Sequence, residues 1–272
     1  MFKRNVKINH PWEGRILPFR IIGNVYFTGT YQASSHLIDT GDGLILIDTG
    51  YANALYLVLD SIRRLGFDID DIRYLVHTHW HYDHTEATEY LLPLIPGAKT
   101  VIGRNDADEV IRAGYFVPDM TVKDGDVLTL GKTSIRFLET PGHTKGTVSL
   151  FFDAEEAGRI YRVGMFGGAG RNTLTKEYLK TYPTCRTDYR ESLVRLKKER
   201  VDVMLGNHTW NNDTDAKGKA FLADPTQNPF IDETLFGKFL DFCAGKLDEL
   251  EEKEREKSVN SEFAGDHGSV IA

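Results

Sequence analysis

Four of the nine histidines lie within residues 77–84, directly after an apolar segment that predicts a β-strand. This stretch contains the pattern His-x-His-x-Asp-His. Residues two apart in an extended chain point the same way, so His79 and His81 can bind one cation as neutral imidazoles. Where the chain then turns, Asp83 and His84 can face a second cation beside the first. The pattern therefore predicts a site for two metal ions that share a nucleophile.

Two further histidines can complete this site. A catalytic zinc usually takes three protein ligands and leaves one position open for water or substrate, so four local ligands do not fill two sites. His143 lies in the turn Thr-Pro-Gly-His-Thr after a strand-like segment, and His208 directly follows a short apolar segment. With these two there are six candidate ligands, three for each ion.

The segments that must position these residues read as short strands and amphipathic helices. Strands are predicted at 21–28, 34–39, 43–48, 72–76, 99–102, 127–152 in three pieces, 159–166 and 201–205. Helices are predicted at 55–65, 85–92, 106–112, 187–199 and 232–250. Because groups of strands alternate with helices and nothing resembles a linker, we expect mixed sheets covered by helices in one α/β (α+β) domain over residues 1–257. This domain includes a C-terminal helix, and residues 258–272 are expected to form a flexible tail.

Composition excludes several classes of protein. The 272 residues include 33 basic and 40 acidic side chains, so the net charge of −7 gives no general attraction to nucleic acid or to an anionic membrane. No run of about 18 apolar residues is present, and no apolar core follows the basic residues 1–7. With Cys185 and Cys243 interpreted as free thiols, these features predict a cytoplasmic protein, or a periplasmic or secreted one if a signal was removed. With nucleic acid and membranes excluded, the expected partner is a small-molecule substrate.

The chain resembles the metallo-β-lactamase-fold hydrolases in four places. These are Leu-Ile-Asp-Thr-Gly at 46–50, the pattern at 79–84, the Pro-Gly-His-Thr turn at 141–144, and His208. The resemblance implies a four-layer αββα sandwich of two mixed sheets flanked by helices, with the metal site at one edge. It implies two Zn²⁺ ions, the first bound by His79, His81 and His143 and the second by Asp83, His84 and His208.

One departure from the family pattern is informative. Many members, including glyoxalase II-like thioesterases and acyl-homoserine lactonases, have a metal-bridging Asp on the strand after the Pro-Gly-His turn. Here that segment, residues 159–170, contains no Asp, Glu, His or Cys. The chain is therefore most similar to the third subclass (B3-like) of metallo-β-lactamases, which also lacks that carboxylate.

The resemblance implies a dinuclear zinc-dependent hydrolase in which a metal-bound hydroxide attacks a carbonyl, and Asp83 holds or deprotonates the nucleophile. The leading hypothesis is hydrolysis of a β-lactam amide or a related cyclic amide or ester. One alternative is a cytoplasmic lactonase or thioesterase of the same fold. An alternative from another class is a non-catalytic metal-binding or interaction protein.

Several other residues have a structural and a functional interpretation. Asp48 can support the ligand loop by hydrogen bonds or can cap the next helix. We expect His77 to be a buried hydrogen-bonded residue, and His10, His36 and His267 to be structural or exposed. The aromatic residues Tyr31, Tyr115, Phe116 and Trp210 can line a cleft or belong to the core. The glycines at 164, 167, 168 and 170 are expected to let the backbone pass close to the metal site.

Overall fold

The structure, a computed structural model, describes residues 6–7 and 9–265, whose strands form two sheets. The strands are Phe19–Ile22 (β1), Val25–Phe27 (β2), His36–Asp39 (β3), Leu44–Ile47 (β4), Ile72–Val76 (β5), Lys99–Gly103 (β6), Met120–Val122 (β7), Val127–Leu130 (β8), Thr133–Glu139 (β9), Val148–Glu156 (β10), Arg159–Met165 (β11) and Val203–Leu205 (β12). Strands β1 to β7 form the first sheet in sequence order, and the second sheet has the order β12-β11-β10-β9-β8. Both sheets are mixed, because β4 to β7 run parallel, as do β11 and β12, whereas the other neighbours are antiparallel.

Seven α-helices accompany these strands within the described residues. They are Leu55–Arg64 (α1), Tyr82–Thr85 (α2), Thr88–Leu91 (α3), Ala107–Ala113 (α4), Cys185–Leu196 (α5), Thr214–Ala223 (α6) and Leu235–Gly265 (α7). Both cysteines are buried free thiols, as predicted. Within residues 6–7 and 9–265, no helix combines the length and hydropathy that a bilayer crossing requires.

Strand β4 shows how the four layers arise. Its residues Leu-Ile-Leu-Ile are buried on both faces, because successive side chains of a strand point to opposite sides of the sheet. Ile45 and Ile47 belong to the core between the two sheets, whereas Leu44 and Leu46 pack with α1 and α3. On the outer face of the second sheet, α5 and α7 cover a separate apolar cluster. The predicted αββα sandwich is thus confirmed.

Two elements were not predicted, and one predicted helix is divided. Strand β7 is only three residues long, and α6 contains Gly218, where a side chain would collide with the ring of Phe19 in β1. The predicted helix 85–92 is divided into α2, α3 and a 3₁₀ turn that contains Pro93.

Helix α7 continues past residue 257 to Gly265, because no proline or glycine interrupts residues 246–264. The first part of the predicted tail is therefore helical. Residues 266–272, which include His267, lie outside the described residues, as do residues 1–5 of the basic N-terminal stretch. The helix is held against α5 partly by ion pairs, in which Arg190 contacts Asp248 at 2.7 Å and Glu251 at 2.8 Å.

Candidate metal centre

The ends of several strands meet at one edge of the sandwich. Parallel strands β4 and β5 end side by side, and residues 48–50 and 77–84 follow them directly. The turn with His143 joins β9 to β10, and His208 comes three residues after β12. Since the carboxyl ends of parallel strands face one edge, loops far apart in sequence converge there.

The structure brings the six predicted side chains together in two sets. His79, His81 and His143 form the first set, and Asp83, His84 and His208 form the second. Within each set, one potential ligand atom of every residue lies within 4.8 Å of the others. The sets adjoin each other, since the rings of His79 and His84 are 4.3 Å apart.

The chemistry of the donors fits metal ions. His79 Nε2 and His84 Nε2 are two of the seven buried side-chain nitrogen and oxygen atoms in the described residues that have no hydrogen-bond partner. A buried polar nitrogen without a partner costs free energy, and a metal ion removes that cost. His143 Nδ1 donates to the carbonyl of Gly170 at 2.8 Å, which leaves Nε2 as an acceptor. His208 Nδ1 donates in the same way to the carbonyl of Gln32 at 2.6 Å.

Asp48 supports both sets from behind. Its carboxylate is fully buried and accepts hydrogen bonds from His84 Nδ1, Thr78 N and Thr78 Oγ1, each at 2.8 Å. Thr78 Oγ1 accepts a hydrogen bond from His79 Nδ1 at 3.0 Å, because its own hydroxyl hydrogen is donated to Asp48. The N-cap of the next helical turn is Tyr51 and not Asp48, so the capping interpretation is wrong. The hydrogen bonds to His84 and Thr78 confirm the supporting one.

Burial governs the protonation of most of the histidines. It lowers the pKa of His81 and of His208 to about 4. The pKa values of His79 and His143 fall well below the usual value, first through burial and then through neighbouring histidine charges. These side chains are therefore neutral at physiological pH, which is the form that binds metals.

His84 is the exception. Burial opposes its charge, but the carboxylates of Asp83 and Asp48 raise the pKa of His84 to about 10. Burial also opposes the charge on Asp83, yet the positive charge of His84 holds the pKa of that carboxyl below its usual range. Without a metal ion, the second set thus contains a buried cation and anion, with His84 Nε2 3.4 Å from Asp83 Oδ2.

The structure also shows where the other histidines and the candidate cleft residues lie. His77 is buried outside both sets and pairs with Thr88 Oγ1 at 2.8 Å, as expected. His36 is also buried, whereas His10 lies near the surface, 2.9 Å from Glu13. Tyr31 and Trp210 line a cavity of about 540 Å³ beside His208.

The two other aromatic side chains lie elsewhere. Phe116 stacks on His77, and Tyr115 packs with it at a small apolar cluster beside α4. They belong to the packing around His77 and not to the cavity beside His208.

The glycines of residues 167–170 bring the backbone against the first set. A Cβ at Gly168 would lie 2.8 Å from His143 Cβ, and one at Gly170 would lie 2.9 Å from His143 Cε1. The expectation of a close backbone approach is therefore confirmed for Gly168 and Gly170. It is wrong for Gly164, where a Cβ would meet Val201 and Phe151 instead. Sequence reasoning did not find the carbonyls of Gln32 and Gly170, because a backbone acceptor leaves no signal in residue type.

Comparisons with known proteins agree with this geometry. BJP-1, a subclass B3 metallo-β-lactamase of Bradyrhizobium japonicum, superposes with a TM-score of 0.84 at 28% identity, covering 91% of this chain and 98% of that one. The FEZ-1 metallo-β-lactamase from Legionella gormanii superposes with a TM-score of 0.82 at 30% identity, covering 89% and 98%.

Curated relatives are more diverse. An atrochrysone carboxyl ACP thioesterase of Passalora fulva is 30% identical over 70% of this chain, and a β-lactamase-like protein 2 homolog of Caenorhabditis elegans is 30% identical over 61%. The chain spans about half the length of these relatives, 52% and 54% respectively. The sequence profile of the metallo-β-lactamase superfamily matches residues 28–208, which is more than half of the chain. The protein therefore belongs to the metallo-β-lactamase superfamily.

Proposed function

We propose that this protein is a dinuclear zinc hydrolase that opens a β-lactam amide or a related cyclic amide or ester. The observation that carries the proposal is the convergence of six side chains in two adjoining sets, three histidines in one and Asp83, His84 and His208 in the other. Residues 159–170 add no acidic side chain. The solved structures reported above that share the fold over about nine tenths of this chain are β-lactamases.

Each set would hold one Zn²⁺ ion, which binds imidazole nitrogens and carboxylate oxygens. The first set offers three imidazoles, and the second offers two imidazoles and one carboxylate. When bound, the two ions would lower the pKa of a shared water toward neutrality and polarise the substrate carbonyl. Three protein ligands on each ion leave positions for water and substrate.

Asp83 is the residue of this chain that we assign to proton transfer. As the one carboxylate of the second set, Asp83 can orient the attacking water and accept its proton at a carboxylate oxygen. Asp83 Oδ2 lies 3.4 Å from His84 Nε2 and 3.8 Å from His208 Nε2, at the centre of the second set. The proton it accepts can then pass to the departing amide nitrogen or alkoxide.

The cavity beside His208 suits a small molecule with an apolar part. Tyr31, Trp210, Phe239 and Phe242 supply apolar surface, and its volume of about 540 Å³ falls in the usual range for ligand pockets. The same cavity would admit a lactone or thioester. A curated relative from a Bacillus species is named N-acyl homoserine lactonase, so a lactonase or thioesterase is the alternative function.

The test is metal analysis followed by a substrate panel. Purified protein is expected to contain close to two zinc ions per chain and to hydrolyse at least one member of a panel of β-lactams, lactones and thioesters. The member hydrolysed fastest distinguishes the leading function from the alternative. Asp83→Asn serves as the catalytic control. A folded protein that binds two ions and turns over nothing in the panel would support the non-catalytic metal-binding alternative, and one that binds no metal would refute the dinuclear mechanism.

A further inference from the structure

A buried carboxylate outside both ligand sets connects the loops that carry the first set. Asp106 lies just before α4 and is 1% exposed. Its Oδ2 accepts hydrogen bonds from Trp80 N at 3.1 Å and from Thr144 Oγ1 at 2.7 Å, and its Oδ1 accepts one from Gly146 N at 2.7 Å. One carboxylate therefore bridges two loops that are more than 60 residues apart in sequence.

The position of these donors relates them to the metal centre. Trp80 lies between His79 and His81, and Thr144 directly follows His143. Every candidate ligand of the first set is thus covalently adjacent to a residue that Asp106 binds. Hydrogen bonds to an ionised acceptor are about twice as strong as neutral ones, so these contacts restrict both loops.

A helix-capping role does not account for the carboxylate. Asp occurs often at helix N-termini because its oxygens accept the first free backbone N–H groups of the helix. Asp106 occupies that position at α4, but its side chain makes no capping hydrogen bond. Both oxygens turn away from α4 and toward the ligand loops.

Two glycines permit this close approach. A Cβ at Gly146 would lie 2.3 Å from Asp106 N and 2.6 Å from Asp106 Cγ, and a Cβ at Gly103 would lie 2.0 Å from the carbonyl oxygen of Gly146. Any larger residue at either position would push the two segments apart. The contact between Asp106 and the His143 turn therefore depends on Gly103 and Gly146 as well as on Asp106.

We propose that Asp106 is a positioning residue for the first set, which fixes the segment of His79 and His81 relative to the turn of His143 so that the three imidazoles converge before a metal binds. This inference rests on the metal centre proposed above. Asp48 has the corresponding place behind the second set, where it bonds His84 directly. Asp106 instead acts through the backbone and a hydroxyl group.

The test is a metal titration of Asp106→Asn in metal-free full-length protein. Asn keeps the size but has one acceptor oxygen, so it cannot hold Gly146 and the Trp80–Thr144 pair together. Asp202→Asn is the matched control, because Asp202 is 4% exposed and its Oδ2 accepts a backbone N–H from Arg162 at 2.8 Å, remote from the ligand loops. Burial raises the pKa of Asp106 to about 6, so titration at about pH 8 keeps its carboxylate ionised.

Zinc affinity is measured by competition with a chromophoric chelator, and cobalt spectra assign the sites. The spectra of His143→Ala and His208→Ala, which each leave one set intact, identify the absorption bands of the two sets. In Asp106→Asn we expect affinity at the first set to fall about 10- to 100-fold, the range typical for partners that orient metal ligands. Affinity at the second set and both affinities of Asp202→Asn should stay within about twofold of the wild type.

Thr144 provides a second pair of variants that does not alter a buried charge. Thr144→Val removes the hydroxyl donor and should lower the zinc affinity of the first set. Thr144→Ser keeps the donor and should have the affinity of the wild type. This rescue separates positioning from a general loss of stability, and it still applies if Asp106→Asn does not fold. Equal, wild-type affinity at the first set in Asp106→Asn and Thr144→Val would overturn the inference while leaving the dinuclear centre intact. A wild-type protein that binds no metal would overturn both.

Discussion

The first and second ligand sets adjoin each other but are prepared for a cation in different ways. The first set has three histidines that burial keeps neutral. Hydrogen bonds to Thr78 Oγ1 and to the carbonyl of Gly170 orient two of them, His79 and His143. The second set contains the carboxylate of Asp83, and the buried carboxylate of Asp48 lies 2.8 Å from His84 Nδ1. Geometry therefore prepares the first set, and negative charge prepares the second.

This difference determines what occupies each set when no metal is bound. In the second set, two carboxylates stabilise a proton on His84, which takes the electrostatic place of the ion. In the first set no carboxylate is a member, and protonation is opposed by burial and by the other histidines. Metal binding at the second set is then an exchange of a proton for an ion, whereas the first set binds an ion without that exchange.

Removing one ligand from each set gives the largest expected effect. His143→Ala and His208→Ala should each lose about one of two zinc ions, from different sets, with hydrolytic activity at least about 100-fold lower. Zinc content by mass spectrometry and cobalt spectra check this. Unchanged metal content in His208→Ala would remove that residue from the second set.

Asp48→Asn should have the next largest effect. Asp48 has a φ of 55°, a left-handed conformation that Asn accepts readily, so the backbone should keep its shape. The neutral amide weakens the hold on His84, and zinc affinity at the second set should fall about 10- to 100-fold, with a smaller loss at the first set. Competition titration measures both affinities; equal losses at the two sets would contradict the contrast in charge.

Proton release on zinc binding tests the contrast more finely. Because the pKa of His84 is raised to about 10, the second set should release about one proton more than the first when loaded near neutral pH. Its affinity should rise about tenfold for each pH unit in that region, or about 1.4 kcal/mol. Calorimetry in two buffers of different ionisation enthalpy, on His143→Ala and His208→Ala, counts the protons of each set. Equal counts would show that His84 is neutral before the ion binds.

His36 is buried but belongs to neither ligand set, so it tests the effect of burial on a histidine without metal binding. Its replacement has the smallest expected effect. Burial lowers its pKa to about 4, so the unfolded chain binds its proton more readily, and the stability from neutral His36 is lost as pH falls from about 6.5 toward 4. Between about pH 7 and 5.5 this loss is about 1 kcal/mol. Urea unfolding of the metal-free proteins should show that the free energy of unfolding of His36→Leu falls by about 1 kcal/mol less than that of the wild type over this pH range. An equal fall in the two proteins would contradict this expectation.

The sequence was most informative where chemistry and pattern coincide. Strand β5 matches its predicted bounds, and the six candidate ligands could be chosen because histidine and aspartate at strand ends carry a recognisable donor pattern. Strand β7 and helix α6 were missed because one is three residues long and the other has little amphipathic pattern.

Asp106 was missed for a different reason. In sequence it reads as an ordinary acidic residue before a helix, and only the fold shows that its oxygens face Trp80 N, Thr144 and Gly146. Contacts between distant loops depend on tertiary packing, and a single sequence contains no pattern that reports them. The extension of α7 to Gly265 likewise lay beyond its apolar repeat, which ends near residue 250.

The glycine at 168 also limits which residues can lie beside the first set. A Cβ there would lie 2.7 Å from Thr147 Cγ2 and 2.8 Å from His143 Cβ, so even alanine requires the His143 turn to move. A substitution at residue 168 is therefore expected to displace a candidate ligand of the first set. The space left by this glycine is thus part of the metal centre, although residue 168 supplies no ligand atom.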